Sequence, residues 1–98
     1  MNLWNQAPDG FVPPGWDVFR ALWSDVGQGG GRYYDYEIRG TQPTETFGDR
    51  PADYSTDVLA DRAVRFIKSS PEDQPFFLYF TPFAAHEPWT PAARHKGT

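Results

Sequence analysis

His86 is one of two histidines in a chain that has no cysteine, and it sits in the stretch "TPFAAHEPWTP", directly after the apolar run "PFFLYF". An imidazole gains or loses its charge near neutral pH at small cost, so His86 can donate a hydrogen bond to an anionic oxygen or move a proton. Pro82 and Pro88 restrict the loop on either side of it, which favours one fixed geometry. The competing reading is a histidine that only satisfies backbone groups at the rim of a core. Glu87 reads as a solvated neighbour, whereas Trp89, following in the same loop, reads as a wall of whatever cleft His86 faces. Asp57 and Asp61 lie one helical turn apart, opposite an apolar stripe; this is the layout of a solvated face and not of a metal pair. Arg94 and His95 read as surface residues, with a basic pair near an anionic pocket as their functional alternative.

The elements that position these residues follow from spacing. Residues 1–15 carry Pro-Asp-Gly and Pro-Pro-Gly turn signals and form an irregular segment whose Trp4 and Phe11 must pack on something. In "WDVFRALWSDVGQGGG", Trp16, Phe19 and Trp23 recur at near-helical spacing before a triple glycine, which predicts a short helix or an aromatic-lined loop. "RYYDYEIRG" alternates as a strand, with Tyr34, Tyr36 and Ile38 on one face and Tyr33, Asp35, Glu37 and Arg39 on the other. The turn "GTQPT" returns the chain through Thr46 and Phe47 as a hairpin, and "GDRPADY" is a polar link. "YSTDVLADRAVRFIKSS" is the clearest helix, with Leu59, Ala63, Phe66 and Ile67 on one stripe, Asp53 or Ser55 as the cap and Pro71 as the stop. "FFLYFT", residues 76–81, is apolar on both faces and predicts a buried interior strand of a parallel sheet covered by helices.

Ninety-eight residues allow one small domain at most. Hydrophobic residues make up 39% and aromatics 17%, too much for a disordered tail, while ten prolines and nine glycines imply many turns. A net charge of -4 leaves no basic surface for phosphates, which argues against nucleic acid. There is neither a stretch long enough to span a bilayer nor a leader-like amino terminus, so the chain reads as soluble and unaddressed. An interior strand needs hydrogen-bonded neighbours on both edges, and a hairpin plus one helix does not supply them. The expected class is therefore α/β, with the remaining strands encoded outside these residues.

"YSTDVLADRAVRFI" followed by "QPFFLYFTPFAAHEPWTPAARH" resembles the middle of the sulfatase catalytic domain, in its arylsulfatase and N-acetylglucosamine-6-sulfatase branch; "VPPGWD" and "YYDYEI" resemble the segments before that helix. The resemblance covers residues 12–95, with Ala85 where proline is common before the histidine. It implies an alkaline-phosphatase-like domain, a mixed and mainly parallel sheet flanked by helices, of which residues 1–98 are a part incomplete at both ends. It also implies a sulfuric ester hydrolase that uses a formylglycine nucleophile and calcium on a sulfate ester, aryl or sugar. His86 matches the family histidine that contacts sulfate, and Trp89 follows as a substrate-binding wall. The nucleophile motif C/S-x-P-S/A-R is absent, since there is no cysteine and none of Ser24, Ser55, Ser69 or Ser70 begins that pattern. The family's paired aspartates and Asp-Asn calcium ligands are absent too, so no metal site is expected in this chain and no activity from it alone. Members of the family are mostly secreted, periplasmic or lysosomal, which leaves the compartment open.

Other classes remain as alternatives. The same fold could belong to a related phosphodiesterase or phosphonate hydrolase. Four tryptophans and five tyrosines could instead form an aromatic carbohydrate-binding module, although Tyr34, Tyr36, Phe66 and Phe77 fall on core-like periodicities. A small interaction protein without a pocket is the plainest alternative.

Overall fold

A computed structural model describes residues 12–24 and 32–97. The expectations for Trp4, Phe11 and the triple glycine fall outside the described residues. Among the described residues three short strands, β1 (Arg20–Trp23), β2 (Glu37–Gly40) and β3 (Glu45–Thr46), are followed by one long helix, α1 (Ser55–Ser69). The strands form an antiparallel sheet in the order β1-β2-β3, with Leu22 opposite Ile38 and Ile38 opposite Glu45.

The hairpin and the helix stand where the spacing placed them, but several expectations need correction. The segment predicted as a short helix or aromatic loop contributes β1 instead. Its Arg20 pairs with Gly40, where the backbones approach so closely that a Cβ on Gly40 would lie 1.8 Å from the Phe19 carbonyl oxygen. Only glycine permits that approach, at a φ of 152°. The near-helical spacing of the aromatics carried no information about this long-range pairing. Trp23 lies under the Arg39 guanidinium, 3.6 Å from the ring centroid, which gives the sheet edge a cation–π contact.

The alternation predicted over residues 32–40 holds only beyond Asp35. Tyr36 and Ile38 are buried as expected, but Asp35 has a left-handed φ of 54° that turns the chain, so Tyr33 also points inward instead of toward solvent. Two small cores result among the described residues. Tyr36, Ile38 and Val58 close the space between sheet and helix, with Leu22, Phe47 and Leu59 at its border. Tyr33, Tyr54 and Ala92 form the second, against which Tyr34, Phe83 and Ala84 pack.

At the start of α1 neither expected side chain caps the helix. The Asp53 carboxylate accepts from the backbone N–H and the guanidinium of Arg50, both at 3.2 Å, and so closes the 3-10 turn Pro51–Asp53. The Ser55 hydroxyl is buried without a partner, while the Ser55 N–H donates to the Tyr33 carbonyl at 2.9 Å. That bond ties the helix start to the chain entering β2. Arg62, reaching Glu45 at 2.5 Å, fastens the middle of α1 to β3. The Glu45 carboxyl is held below its usual range, chiefly by that hydrogen bond. After Ser69 the helix stops, and the hydroxyls of Ser69 and Ser70 both donate to the Phe66 carbonyl.

The largest correction concerns residues 76–81. They belong neither to the sheet nor to a helix, and each is exposed rather than buried. Phe77 is 74% exposed, so its assignment to a core is also wrong here. The described sheet contains no parallel pair. The predicted stripe of α1 shares this fate in part: Leu59, Ala63 and Phe66 are half-covered and Ile67 is exposed, with Phe66 meeting Phe76 edge-on at 5.5 Å. Exposed apolar side chains of the carboxyl-terminal half of α1, Val64 and Ile67, thus stand near those of Phe76–Phe80, joined through the Phe66–Phe76 contact. Surfaces of this kind, rich in aromatic residues and low in charge, drive association. Phe77→Asp is expected to raise the concentration at which the chain begins to scatter light, while the helical circular dichroism stays as in the wild type. Equal scattering by the two proteins would show that this surface is not what associates.

Candidate functional site

The loop after residues 76–81 is built on the second core. Two successive turns shape it: the His86 N–H donates to the Phe83 carbonyl and the Trp89 N–H to the His86 carbonyl, each at 3.0 Å. Trp89 takes a left-handed φ of 57°, a costly conformation for a bulky residue, and its side chain is 67% exposed. Two tyrosines anchor the loop from beneath. Tyr33 donates its hydroxyl to the His86 carbonyl at 2.5 Å, and Tyr54 donates to the Thr90 carbonyl at 2.6 Å. These phenols come from either end of the hairpin-to-helix segment, and their rings stack at 5.6 Å.

His86 itself is exposed, with one face of its ring stacked on Phe83 at 4.9 Å and an interplanar angle of 20°. Its Nδ1 lies 2.8 Å from the carbonyl oxygen of Glu87. A carbonyl oxygen can only accept, so Nδ1 is the protonated nitrogen and Nε2 the one left to the surroundings. As a neutral ring His86 therefore offers a lone pair at Nε2, and as a charged ring it offers an N–H there. Such a group, solvent-facing and supported from behind, can hold an anionic oxygen or exchange a proton with one.

Arg94 is exposed, as the surface reading expects, and it also makes an ion pair. Its guanidinium makes a two-pronged contact with Asp57, at 2.6 Å and 3.1 Å, and so clamps the far end of the loop to α1. Asp61 is shared between Arg62 at 2.7 Å and Arg65 at 3.0 Å. Neither aspartate is free for other work. Among the described residues no three His, Asp or Glu side chains converge on a point, so these residues do not by themselves fit the calcium that the resemblance implies. A shallow groove lined by Trp23, Asp35, Tyr36, Glu37 and Phe47 lies beside the hairpin and shares no residue with the histidine loop.

The clamp is sensitive to acid. The Asp57 carboxyl is held below its ordinary range chiefly by the hydrogen bond from Arg94, and that of Asp53 chiefly by Arg50. A carboxyl with a lowered folded pKa adds stability that is fully present above its unfolded value, about 3.9 for aspartate, and is lost as pH falls through the folded value. The urea midpoint is therefore expected to fall as pH drops from about 6 to about 3, less steeply in Asp57→Asn. Parallel pH profiles for the two proteins would remove Asp57 from this account.

Comparison with known proteins bears on what such a loop is for. Residues 9–98 match the family described as Sulfatase. The chain belongs to the sulfatase family. Similar proteins include the N-acetylglucosamine-6-sulfatase of Capra hircus, 33% identical over 95 residues, which cover 92% of this chain and 16% of that protein. The human N-acetylglucosamine-6-sulfatase is 32% identical over 86 residues, covering 87% of this chain and 15% of that protein. A putative extracellular sulfatase Sulf-1 homologue of Caenorhabditis elegans is 30% identical over 92 residues, covering 90% and 12% of the two chains. This sulfatase chain thus spans about one sixth of the length of the first of these relatives. No solved structure matches it with significance. Among the described residues no helix is long and apolar enough to cross a membrane.

Tyr33 and Tyr54 are the site residues that sequence reading missed. The spacing puts Tyr33 on the solvated face of a strand and Tyr54 where the polar link meets the helix. A signal was present: "RYYDY" places tyrosines on both faces of the supposed alternation, which a strand with one wet side does not require.

Proposed function

We propose that this chain supplies the sulfate-contacting histidine loop of a sulfatase catalytic domain. His86 is the group that meets the ester, and the 98 residues turn over no substrate without the rest of such a domain. The observation that carries this reading is the His86 geometry. The ring is anchored at its backbone, protonated at Nδ1 toward the Glu87 carbonyl and open at Nε2. In its charged form His86 donates from Nε2 to a sulfate oxygen. When the ester bond breaks, the same proton can pass to the leaving oxygen, which offsets the charge developing there. Trp89, exposed in the same loop, offers an apolar face to the ring of the sulfated sugar or aryl group. Relatives named for N-acetylglucosamine-6-sulfate chemistry favour an amino-sugar sulfate ester as the substrate class.

The exposed residues 76–81 support the same reading. A stretch apolar on both sides, lying outside the described sheet and exposed beside a half-covered helix stripe, is suited to an interior position in a larger, mainly parallel sheet flanked by helices. His86 would then emerge at the carboxyl end of that strand, where ligands bind in such sheets. A carbohydrate-binding module accounts less well for the tyrosines, since Tyr33, Tyr36 and Tyr54 are buried with their hydroxyls donated to backbone carbonyls.

The test is a chimera in which residues 9–98 replace the matching segment of an N-acetylglucosamine-6-sulfatase. Hydrolysis of a sulfate ester by the chimera, lost on His86→Ala, is the expected result. Hydrolysis that survives this substitution would overturn the assignment of His86.

A further inference from the structure

Nothing in the sulfate reading of His86 gives a role to the two phenols beneath its loop. The geometry points to Tyr33 and Tyr54 as positioning residues that set the tautomer and orientation of the His86 ring, an inference that rests on His86 being the group that meets the substrate.

The His86 carbonyl accepts twice, from the Trp89 N–H at 3.0 Å and from the Tyr33 hydroxyl at 2.5 Å. A carbonyl oxygen has two lone pairs, and both are used. The peptide plane between His86 and Glu87 cannot rotate without breaking both bonds. That plane leads into Glu87, whose own carbonyl receives the proton on Nδ1. The Tyr33 hydroxyl thus acts on the imidazole through one residue of backbone, as a carbonyl or carboxylate partner of a ring nitrogen selects the other nitrogen for chemistry.

Packing acts on the ring in the same direction. His86 lies flat on Phe83; Phe83 meets Tyr33 edge-on at 4.9 Å and 72°; Tyr33 stacks on Tyr54 with an interplanar angle of 15°. The chain of rings joins the exposed imidazole to the buried second core. Tyr54 secures the exit of the loop at Thr90, four residues beyond the histidine. Burial first, and the neighbouring Tyr54 second, raise the pKa of the Tyr33 phenol, so it remains a donor across the pH range in which a histidine works. A tyrosine serving the core alone would keep its ring contacts when its hydroxyl is removed and would leave the imidazole as it was.

That difference is measurable on the 98-residue chain, labelled with nitrogen-15, from the two-bond correlations of the His86 ring under alkaline conditions in which imidazoles are neutral. The wild type is expected to hold its proton on Nδ1. Tyr33→Phe keeps the ring stack and removes the hydroxyl; the ratio of Nδ1–H to Nε2–H tautomer should fall about three- to tenfold, with the dispersion of the backbone spectrum retained. Tyr79→Phe, altered on the exposed stretch, should leave the ratio unchanged. Ring nitrogens in Tyr33→Phe that coincide with those of the wild type would overturn the inference, as would a wild-type proton on Nε2. Should Tyr33→Phe lose its dispersed spectrum, Tyr54→Phe carries the same test with the same two readings. The sulfate contact fails separately, by turnover that survives His86→Ala in the chimera, whatever the ring nitrogens report.

Discussion

Replacing His86 by alanine in the sulfatase chimera should lower kcat/KM by about 10²- to 10⁴-fold, the range over which a positioned acid or base contributes. Each factor of ten corresponds to about 1.4 kcal/mol of transition-state stabilisation. The loss should fall mainly on kcat, because the proton at Nε2 matters most when charge builds on the leaving oxygen. Neighbouring groups provide the controls. Glu87→Gln keeps the backbone carbonyl that accepts from Nδ1 and changes only an exposed side chain, so its effect should stay within about threefold if that side chain takes no part. His95→Ala, on the short 3-10 turn Ala93–His95, should also stay close to the parent. If Glu87→Gln proved as damaging as His86→Ala, the carboxylate and not the imidazole would be the group facing the substrate.

Local pattern made much of this structure legible. The hairpin β2–β3 and the helix α1 follow from spacing, because each is built from contacts close in sequence: Ile38 faces Glu45, and Val58 N–H bonds back to Tyr54. What spacing could not carry is pairing at a distance. β1 depends on Gly40, some twenty residues away, letting the Phe19 backbone approach, and Trp16 and Phe19 before the strand happen to recur with Trp23 at a near-helical interval. Residues 76–81 show a different gap. Their pattern reports the surroundings such a stretch needs, whereas the structure reports the surroundings that the described residues provide. His86 is legible because a histidine after an apolar run, between prolines, is conspicuous. Its supports are not, since nothing in "RYYDY" or "PADY" states that two hydroxyls will reach carbonyls 53 and 36 residues further on.

The first core should be far less tolerant than the exposed stretch. Tyr36 is 2% exposed, its ring stacks on Phe47 at 5.0 Å, and its hydroxyl donates to the Asp53 carbonyl at 2.7 Å. Burial first, and then the nearby Asp53 charge, hold its phenol well above the usual range, so it stays a donor. Tyr36→Ala removes the ring from between sheet and helix and leaves the Asp53 carbonyl unpaired. Truncating a buried aromatic costs about 3–5 kcal/mol, out of a total of about 5–15 kcal/mol for a domain and toward the low end for one this small. Most of the cooperative transition should therefore disappear, as read by thermal circular dichroism. Tyr36→Phe keeps the packing and loses about 1 kcal/mol, a fall in Tm of about 4–8 °C for a chain of this size. Tyr79→Ala, with a side chain of similar size on the exposed segment, should melt with the wild type. A Tyr36→Ala protein that melted alongside Tyr79→Ala would mean that the hairpin and α1 are not held together through this ring.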